Sequence, residues 1–445
     1  MTTPICDFAA AYEARRPVRM HMPGHKTGSD LTEIPGADVL YRARGIIRES
    51  EENAAALFGA RRTLYSTEGS SLCIRAMLQL VRYYAELAGK PFRIAAGRNA
   101  HRVFLDTAAL LDPEIRWFGG DGDLLESRIN LSELEAIFAD PQTRPAAVYV
   151  TSPDYLGNLA DLRPIASLCH QNGALLLVDN AHGAYLKFLE KPLHPLDLGA
   201  DLCCDSAHKT LSVLTGGAYL HASESCPEAL LPMMERAMAM FASTSPSYLI
   251  LQSLDRMNAL LAGDYPERIR EVSARLQQIR EKLRESGWKL TGTEPMKLSL
   301  CPKNRGYTGQ EVAKLLEREN IFCEFADPDY VVLMPSAESG EEELQAVYTA
   351  LQGIEKRKPL LARAPKRQRT EPLLSLREVL GLPFETVPVS ESPGRILASP
   401  SVSCPPAVPI LICGERIDDE ACRLFEYYGV DEIDVLKKVP RVGCC

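Results

Sequence analysis

The stretch Leu175-Leu176-Leu177-Val178-Asp179-Asn180-Ala181-His182-Gly183 carries the strongest structural signal in the chain. Four consecutive apolar residues lead to an aspartate, which is typical of a strand that is buried on both faces of a parallel sheet. In open α/β sheets, ligands bind at the carboxyl ends of such strands. A carboxylate at that position can pair with a cationic ring nitrogen. The alternative is that Asp179 only caps the following turn.

Short apolar runs alternate with helical patterns on both sides of this stretch, from about residue 57 to residue 220, as in βαβ units. We expect further strands at 92–95, 146–151, 202–205 and 217–221. The predicted fold class is therefore α/β, with a large domain built on a mainly parallel sheet.

An amphipathic pattern at 267–286 predicts a helix that leaves the large domain, because its apolar residues recur at spacings of three and four. Predicted strands at 297–301 and 330–334 and helices at 309–319 and 340–354 indicate a smaller α+β domain. The expected organisation is an N-terminal segment (1–45), a large domain (46–265), a small domain (266–355), a basic linker (356–370) and a C-terminal domain (371–445).

The composition of the chain excludes several classes of protein. Its 445 residues are 46% hydrophobic and 24% charged, as in a globular protein with more than one domain. The formal net charge of −9 disfavours binding to nucleic acid or to an anionic membrane surface. The basic residues of 356–370 have no aromatic residues between them for base stacking, so we interpret this segment as a solvated linker.

The cysteines and histidines indicate neither a disulfide framework nor a metal site. Thirteen cysteines are scattered without a C-x-x-C pair, which favours reduced thiols and a cytoplasmic location. We see no signal peptide, and no segment approaches the about 20 apolar residues of a membrane span. His21 and His25 are four residues apart, but Pro23 and Gly24 between them break a helix, so no metal ion is expected.

A first candidate site segment is Ser66-Thr67-Glu68-Gly69-Ser70-Ser71, which precedes a helical pattern. Glycine and serine at a helix start present free backbone N–H groups and hydroxyls, and the helix dipole attracts an anion. The segment therefore predicts a phosphate site, with an ordinary serine N-cap as the alternative.

Two further segments each follow a predicted strand. In Asp205-Ser206-Ala207-His208-Lys209-Thr210, the lysine is a candidate for an amine of lowered pKa, which Schiff-base chemistry needs; the alternative is an exposed surface lysine. In Asn99-Ala100-His101, the imidazole can stack on a planar ligand or cap the loop. A phosphate loop, a stacking histidine, a ring-nitrogen aspartate and a Schiff-base lysine in one domain are the groups that pyridoxal 5′-phosphate requires.

In this order, the segments resemble the pyridoxal-phosphate-dependent ornithine/lysine/arginine decarboxylases of aspartate-aminotransferase fold, in the short form without an N-terminal wing domain. The resemblance covers most of the chain. It includes His21-Met22-Pro23-Gly24-His25-Lys26, Thr244-Ser245-Pro246-Ser247-Tyr248, Pro405-Pro406-Ala407-Val408-Pro409 and Gly414-Glu415. The resemblance implies decarboxylation of arginine, lysine or ornithine to the corresponding amine, as in polyamine biosynthesis.

The resemblance also assigns roles to residues. Lys209 forms the Schiff base with the cofactor and Asp179 pairs with the pyridinium nitrogen. His101 stacks on one face of the ring, and Ala181 packs against the other. His182 lies close to the phenolic oxygen of the cofactor or to the substrate carboxylate. The phosphate or the linked lysine is flanked by Gly69, Ser70, Ser71, Ser206 and His208.

In the implied reaction, His208 or Lys209 is the general acid that protonates the α-carbon after CO₂ has left. The resemblance further implies a homodimer or a larger homo-oligomer whose site lies at the interface, with segment 244–247 a candidate contribution from the neighbour. A cationic group at the far end of the substrate needs a carboxylate partner. Glu415 is a candidate from its place in the late motif.

Departures from the family pattern leave the choice among the three basic amino acids open. The chain has Arg102-Val103 where the family usually has Lys-Ser, and Cys404 and Ala407 in a late motif that usually reads Tyr-Pro-Pro-Gly. These changes affect the expected substrate pocket or interface and leave the expected cofactor residues intact.

The sequence leaves two alternatives to a decarboxylase: another enzyme with the same cofactor site, and a relative without catalytic activity. An aminotransferase or another lyase would hold the substrate α-carboxylate with an arginine of the C-terminal part, for which Arg395 and Arg416 are available. A non-catalytic relative would keep only the fold, but such a protein has no chemical need to retain Lys209, Asp179 and His101 together.

Overall fold

A computed structural model describes residues 1–32, 34–119, 129–399, 401–404 and 408–437, with 401–404 described through the backbone alone. The helices are α1 (Pro4–Ala14), α2 (Ile46–Phe58), α3 (Gly69–Ala88), α4 (Arg102–Leu111), α5 (Leu131–Ala139), α6 (Leu162–Gln171), α7 (Ala207–Thr210), α8 (Met233–Ala239), α9 (Tyr248–Leu261), α10 (Tyr265–Glu285), α11 (Gly309–Arg318), α12 (Glu341–Gly353), α13 (Leu376–Leu380) and α14 (Asp419–Tyr427). The strands are β1 (Arg62–Ser66), β2 (Arg93–Gly97), β3 (Glu114–Phe118), β4 (Ala147–Thr151), β5 (Leu175–Asp179), β6 (Leu202–Asp205), β7 (Ala218–Ala222), β8 (Leu290–Thr291), β9 (Leu298–Leu300), β10 (Phe325–Ala326), β11 (Val331–Leu333), β12 (Phe384–Pro388), β13 (Ser401–Cys404), β14 (Val408–Ile412) and β15 (Glu432–Leu436). Short 3₁₀ helices lie at Ala184–Phe188, Pro195–Leu198, Glu228–Leu230, Pro302–Arg305 and Val389–Glu391.

The large domain contains a seven-stranded sheet in the order β1-β7-β6-β5-β4-β2-β3. The strands β2, β3, β4, β5 and β6 run parallel, whereas β7 is antiparallel to both of its neighbours, β1 and β6. The predicted α/β class with a mainly parallel sheet is confirmed. The sequence pattern did not reveal the two edge strands, because β1 contains only two consecutive apolar residues, Leu64 and Tyr65, and Arg116 interrupts the apolar run of β3.

The alternation of side chains along β5 explains why this strand reads as continuously apolar. Leu175 and Leu177 join the apolar cluster on one face of the sheet, and Leu176 and Val178 join the cluster on the other. All five residues of the strand are buried. Because successive side chains in a strand point to opposite faces, only a sheet covered on both sides needs this pattern.

The small domain follows helix α10, which leaves the large domain as the sequence predicts. It consists of a four-stranded sheet in the order β10-β11-β9-β8 and the helices α11 and α12. The C-terminal domain contains two two-stranded sheets, β12 with β15 and β13 with β14. Its apolar core includes Leu156 of the large domain and Phe325 and Tyr330 of the small domain. The three domains therefore share a continuous apolar contact.

The late motif falls partly outside the described residues. Pro405, Pro406 and Ala407 are not described, nor is the side chain of Cys404. The described helices include none that is both long enough and apolar enough to cross a membrane.

A buried charge cluster attaches the C-terminal domain to the end of β2. Glu415 is fully buried, with its Oε1 atom 2.8 Å from Nη1 of Arg98 and its Oε2 atom 3.8 Å from Nη1 of Arg367. The carboxylate that the late motif offered for a substrate cation is thus occupied by two guanidinium groups of the chain itself.

The second half of the basic segment differs from the expected solvated linker. Arg367 also contacts Asp418, at 3.1 Å, and its side chain is only 6% exposed. Arg369 forms an ion pair with Glu133 of the large domain. Residues 355–363 are exposed as expected. The difference arises because the later guanidinium groups meet carboxylates on neighbouring domains, which the linear sequence does not reveal.

We predict that Glu415→Gln destabilises the protein by about 3–5 kcal/mol, because it leaves the buried guanidinium group of Arg98 without a negative partner. The measurement is the midpoint of urea denaturation followed by circular dichroism. Glu385→Gln is the control, since it removes a carboxylate that is 43% exposed and pairs with Arg395 at 2.6 Å. Such exposed pairs contribute about 0–1 kcal/mol. Equal effects of the two substitutions would contradict the prediction.

Candidate active site

The site lies where β2, β4, β5 and β6 end at the same edge of the large sheet. β5 ends at Asp179, and β6 leads directly into α7, which contains Lys209. His101 follows β2 and begins α4. These strands are parallel, so their carboxyl ends deliver the three predicted residues to one crevice.

Asp179 is buried and its carboxylate is held from two sides. Oδ2 accepts a hydrogen bond of 3.1 Å from the Tyr149 hydroxyl, and Oδ1 accepts one of 3.2 Å from the Ala181 amide. Burial and the negative charge of Asp179 raise the pKa of Tyr149 well above its ordinary value, so the phenol remains a donor. The aspartate thus caps the turn, which was the simpler reading of the sequence, and also faces the crevice in a fixed orientation.

The amine of Lys209 lies 3.1 Å from Nε2 of His182. The surrounding protein lowers the pKa of Lys209 by displacing water, while the negative charges of Asp179 and Glu324 act in the opposite direction. The lysine side chain itself remains accessible from the open side of the crevice. It therefore combines access for a ligand with an amine that loses its proton more readily than a surface lysine.

His182 is neutral in this arrangement. Burial lowers its pKa well below the ordinary value, and the positive charges of Lys297 and Lys209 act in the same direction. Because Nε2 receives the Lys209 ammonium, the ring proton belongs on Nδ1. That atom is buried and has no hydrogen-bond partner among the described residues. A buried donor of this kind requires an acceptor, such as an oxygen of a bound ligand.

The anion-binding turn (residues 69–71) opens helix α3 beside α7. Ser206 donates a hydrogen bond of 2.8 Å from its hydroxyl to that of Ser70, and Nδ1 of His208 contacts the Gly217 carbonyl at 3.0 Å. Ser71 continues the first helical turn, whose amides lack acceptors within the helix. The structure thus brings Gly69, Ser70 and Ser71 together with Ser206 and His208, as the sequence predicts.

Gly216 permits the close approach of the loop after Lys209 to this turn. Its φ is +99°, and a Cβ atom at this position would lie 2.7 Å from the backbone oxygen of Thr67. The carbonyl of Gly216 also accepts a hydrogen bond of 2.7 Å from the Gly69 amide. Any larger residue would push the two segments apart.

His101 is the N-cap of α4, where its Nδ1 accepts a hydrogen bond of 3.2 Å from the Val103 amide. Burial lowers the pKa of His101. The negative charge of Asp179 acts against this effect, and the positive charge of Lys209 adds to it. The loop-cap reading is therefore correct, and the ring lies close enough to both charged residues to face the same crevice. Its neighbour Arg102 points to the helix surface, 3.5 Å from Asp106.

These groups fit pyridoxal phosphate. The cofactor has an aldehyde that combines with an amine, a ring nitrogen that pairs with a carboxylate and a phosphate that binds helix-start amides. Lys209, Asp179 and the anion-binding turn supply these three partners around one crevice. The unpartnered Nδ1 of His182 adds a donor for an oxygen of the ligand.

Four side chains of the site were missed by the sequence reading: Tyr149, Tyr155, Lys297 and Glu324. The Tyr155 ring meets the His182 ring edge to face at 5.5 Å between centroids, and its hydroxyl donates a 3.1 Å hydrogen bond to Glu324. Lys297 is buried, and its amine donates to the carbonyls of Asp154 and Tyr155. A lone lysine before the apolar strand β9 was the only signal in the sequence, and it does not reveal these partners.

A buried cluster of His194, Asp205 and His221 lies at the end of β6, directly before α7. Nε2 of His194 and of His221 lie 2.9 and 3.3 Å from Oδ2 of Asp205. Nδ1 of His194 accepts from the Leu196 amide at 3.4 Å, so Nε2 carries the proton that Asp205 receives. Burial opposes ionisation of Asp205, but the two histidines hold its pKa below the ordinary value. A hydrogen bond of 2.9 Å thus joins His194 to Asp205, and the Thr63 hydroxyl lies 2.8 Å from Nδ1 of His221.

Comparison with known proteins places these observations in a family. The family described as Orn/Lys/Arg decarboxylase, major domain, matches residues 3–301, and the corresponding C-terminal domain matches residues 359–438. An arginine decarboxylase of Halalkalibacterium halodurans is 30% identical, over 94% of this chain and 91% of the relative. An arginine decarboxylase of Bacillus subtilis is 29% identical, over 94% and 92%. The solved structure of the constitutive lysine decarboxylase of E. coli matches with a TM-score of 0.77 at 19% identity, covering 98% of this chain and 82% of that one; at this identity the likeness shows the fold.

We predict that His182 makes the protein without cofactor less stable in acid. Above about pH 6.5, the ring is neutral in both the folded and the unfolded state. Below it, the unfolded chain takes up a proton that the folded protein refuses, because the folded pKa is lowered. Stability is therefore lost as the pH falls, by up to about 1.4 kcal/mol per pH unit.

The measurement compares wild type with His182→Gln by urea denaturation at pH 7.5 and 5.5. The wild type should lose more stability between the two values than the variant. A difference between the two proteins that does not change with pH would contradict the prediction.

Proposed function

The chain belongs to the Orn/Lys/Arg decarboxylase family, and we propose that arginine is the basic amino acid from which it removes CO₂. Its activity is that of a pyridoxal-phosphate-dependent amino-acid decarboxylase. The observation that carries the choice of arginine is the alignment, along nearly the whole chain, with two relatives named arginine decarboxylase. The likeness to the lysine decarboxylase of E. coli is one of fold, and a lysine decarboxylase of Pseudomonas aeruginosa aligns with only 53% of this chain, at 25% identity.

The proposal assigns each side of the crevice a part of the cofactor. Lys209 would hold it covalently, and Asp179 would keep its ring nitrogen protonated. His101 and Ala181 would enclose the ring from its two faces, with Nδ1 of His182 donating to its phenolic oxygen. The phosphate would lie in the anion-binding turn, flanked by Ser206 and His208.

When bound, the cofactor supplies an electron sink for the electron pair that remains on the α-carbon after CO₂ leaves. Asp179 makes that sink effective by stabilising positive charge at the ring nitrogen. The amine of Lys209 is the group that we favour for protonating the α-carbon. The other candidate, His208, faces the anion-binding turn: its Cε1 atom would lie 3.9 Å from a Cβ atom built on Gly69. His182, adjacent to the lysine amine, can accept a hydrogen bond from it.

The arginines available for an aminotransferase are engaged elsewhere. Arg395 donates from Nη2 to Glu385 and to the Leu436 carbonyl, at 2.6 and 2.7 Å. Arg416 donates to the Gly394 carbonyl at 3.1 Å. Among the described residues, both guanidinium groups are thus held by partners within the C-terminal domain.

We also propose that the enzyme is a cytoplasmic homodimer or larger homo-oligomer whose sites lie at subunit interfaces. Support for a reducing compartment comes from the cysteines, because those within the described residues are all free. In segment 244–247, Thr244 and Ser245 are exposed and the other two residues are half-buried. The segment begins next to Ser243, whose amide donates to Glu68 beside the anion-binding turn. From this position it can contact a second copy close to the phosphate.

We predict that the purified protein, loaded with pyridoxal phosphate, converts arginine to agmatine and CO₂ in equal amounts. Lysine and ornithine should react at lower kcat/KM. Chromatography of the amines with parallel CO₂ measurement tests this order. Formation of a 2-oxo acid would overturn the decarboxylase reading, and faster release of cadaverine or putrescine would replace arginine by lysine or ornithine.

We predict that Lys209→Ala abolishes activity and the visible absorbance of the lysine-bound cofactor while the protein stays folded. Lys191→Ala is the control, since that lysine is exposed. Absorption spectra and circular dichroism of both variants provide the test. If the spectrum of Lys209→Ala equals that of wild type, another lysine binds the cofactor.

A further inference from the structure

Most carboxylates around the crevice already have a partner that removes them from contact with a substrate. Glu415 lies against Arg98 in the buried charge cluster. Glu294 is buried, with its Oε2 accepting from the Tyr185 hydroxyl and the Met296 amide. Asp179 is oriented by Tyr149 towards the place proposed for the cofactor ring. None of these three is available for a cationic side chain of the substrate.

Glu324 is different, because its carboxylate is exposed and meets only a neutral donor. It precedes β10 in the small domain and accepts a 3.1 Å hydrogen bond from the Tyr155 hydroxyl. Within the described part of the chain, no ion pair involves it. The carboxylate therefore keeps free lone pairs for another partner.

A continuous series of contacts connects Glu324 with the reacting amine. The Tyr155 ring that holds its carboxylate meets the His182 ring at 5.5 Å, and His182 contacts Lys209 at 3.1 Å. Phe325 also contacts the Tyr155 ring, at 5.1 Å between centroids and nearly perpendicular to it. Tyr155 is thus fixed between the large and small domains, and it sets the position of Glu324 relative to the crevice.

The electrostatics agree with this proximity. Burial lowers the pKa of Lys209, and the two carboxylates that oppose this effect are Asp179 and Glu324. Since Asp179 lies beneath the crevice at the end of β5, Glu324 provides negative charge from the small domain.

We infer that the carboxylate of Glu324, positioned by the Tyr155 hydroxyl, binds the distal cationic group of the substrate. The inference rests on the proposed function, because it requires a substrate whose second positive charge lies away from the α-amine. A guanidinium group matches a carboxylate with two parallel hydrogen bonds. The same charge repels the substrate α-carboxylate, which keeps the α-amine directed towards Lys209.

The experiment compares two amines of equal shape that differ in charge at the distal end, agmatine and N-carbamoylputrescine. Each is titrated into holoenzyme, and binding is followed by the change in cofactor absorbance. Glu324→Gln removes the charge but keeps an oxygen that accepts from Tyr155. It should weaken agmatine binding about 10- to 100-fold, as expected for a hydrogen bond to a charged group, and leave binding of N-carbamoylputrescine, whose distal end is neutral, unchanged.

A matched control is Glu319→Gln, which removes an exposed carboxylate at the end of α11 and should affect neither amine. Tyr155→Phe leaves the charge in place without its anchor and should weaken agmatine binding several-fold, which also tests the inference if Glu324→Gln fails to fold. With arginine as substrate, Glu324→Gln should raise KM more than it lowers kcat.

The outcomes separate this inference from the proposed function. Unchanged agmatine binding in Glu324→Gln would overturn the role of Glu324, even if wild type decarboxylates arginine. Equal weakening of both amines would also overturn it, since that result indicates a structural role. If wild type decarboxylates no basic amino acid, the proposed function fails. A selective loss of agmatine binding in Glu324→Gln would still test the role of this carboxylate.

Discussion

The pairing of β5 with β6 is the constraint on which the site depends. In this parallel ladder Asp179 lies opposite Cys204, and the Asn180 amide donates to the Cys204 carbonyl at 3.0 Å. Asn180 also donates from its side chain to Asp205, at 2.7 Å. The backbone thereby fixes how far Asp179 lies from the segment that carries Lys209. A shift in register would turn every side chain of the strand to the opposite face.

The charged groups around the crevice determine which of their neighbours remain neutral. His182 lies between two lysines, Lys209 and Lys297, and remains neutral because burial and both positive charges disfavour its protonation. Lys297 has a pKa lowered to about 8 by burial, and nearby Glu294 has one raised to about 7. A neutral imidazole next to a lysine of lowered pKa can accept a hydrogen bond from its amine without competing with it for the proton.

The sequence predicted those parts of the site that follow from local order along the chain. The run from Leu175 to Asp179 revealed its strand in full because burial on both faces leaves a continuous apolar pattern. Lys209 was recognisable because its motif follows the next apolar run. Tyr149, Tyr155 and Glu324 could not be found in this way, since each acts through a partner that is distant in sequence. Glu415 shows the converse, because its motif gave no sign of the two arginines that surround it.

The apolar core of the C-terminal domain contains Phe325, which directly follows Glu324 and supports the Tyr155 ring. One core therefore anchors a whole domain and also fixes the wall of the crevice. Exchanging the C-terminal domain for that of a distant relative would repack Phe325 and, with it, the tyrosine beside the active site. The domains therefore form a matched set, and a change of selectivity in this architecture requires coordinated substitutions on both sides of the shared core.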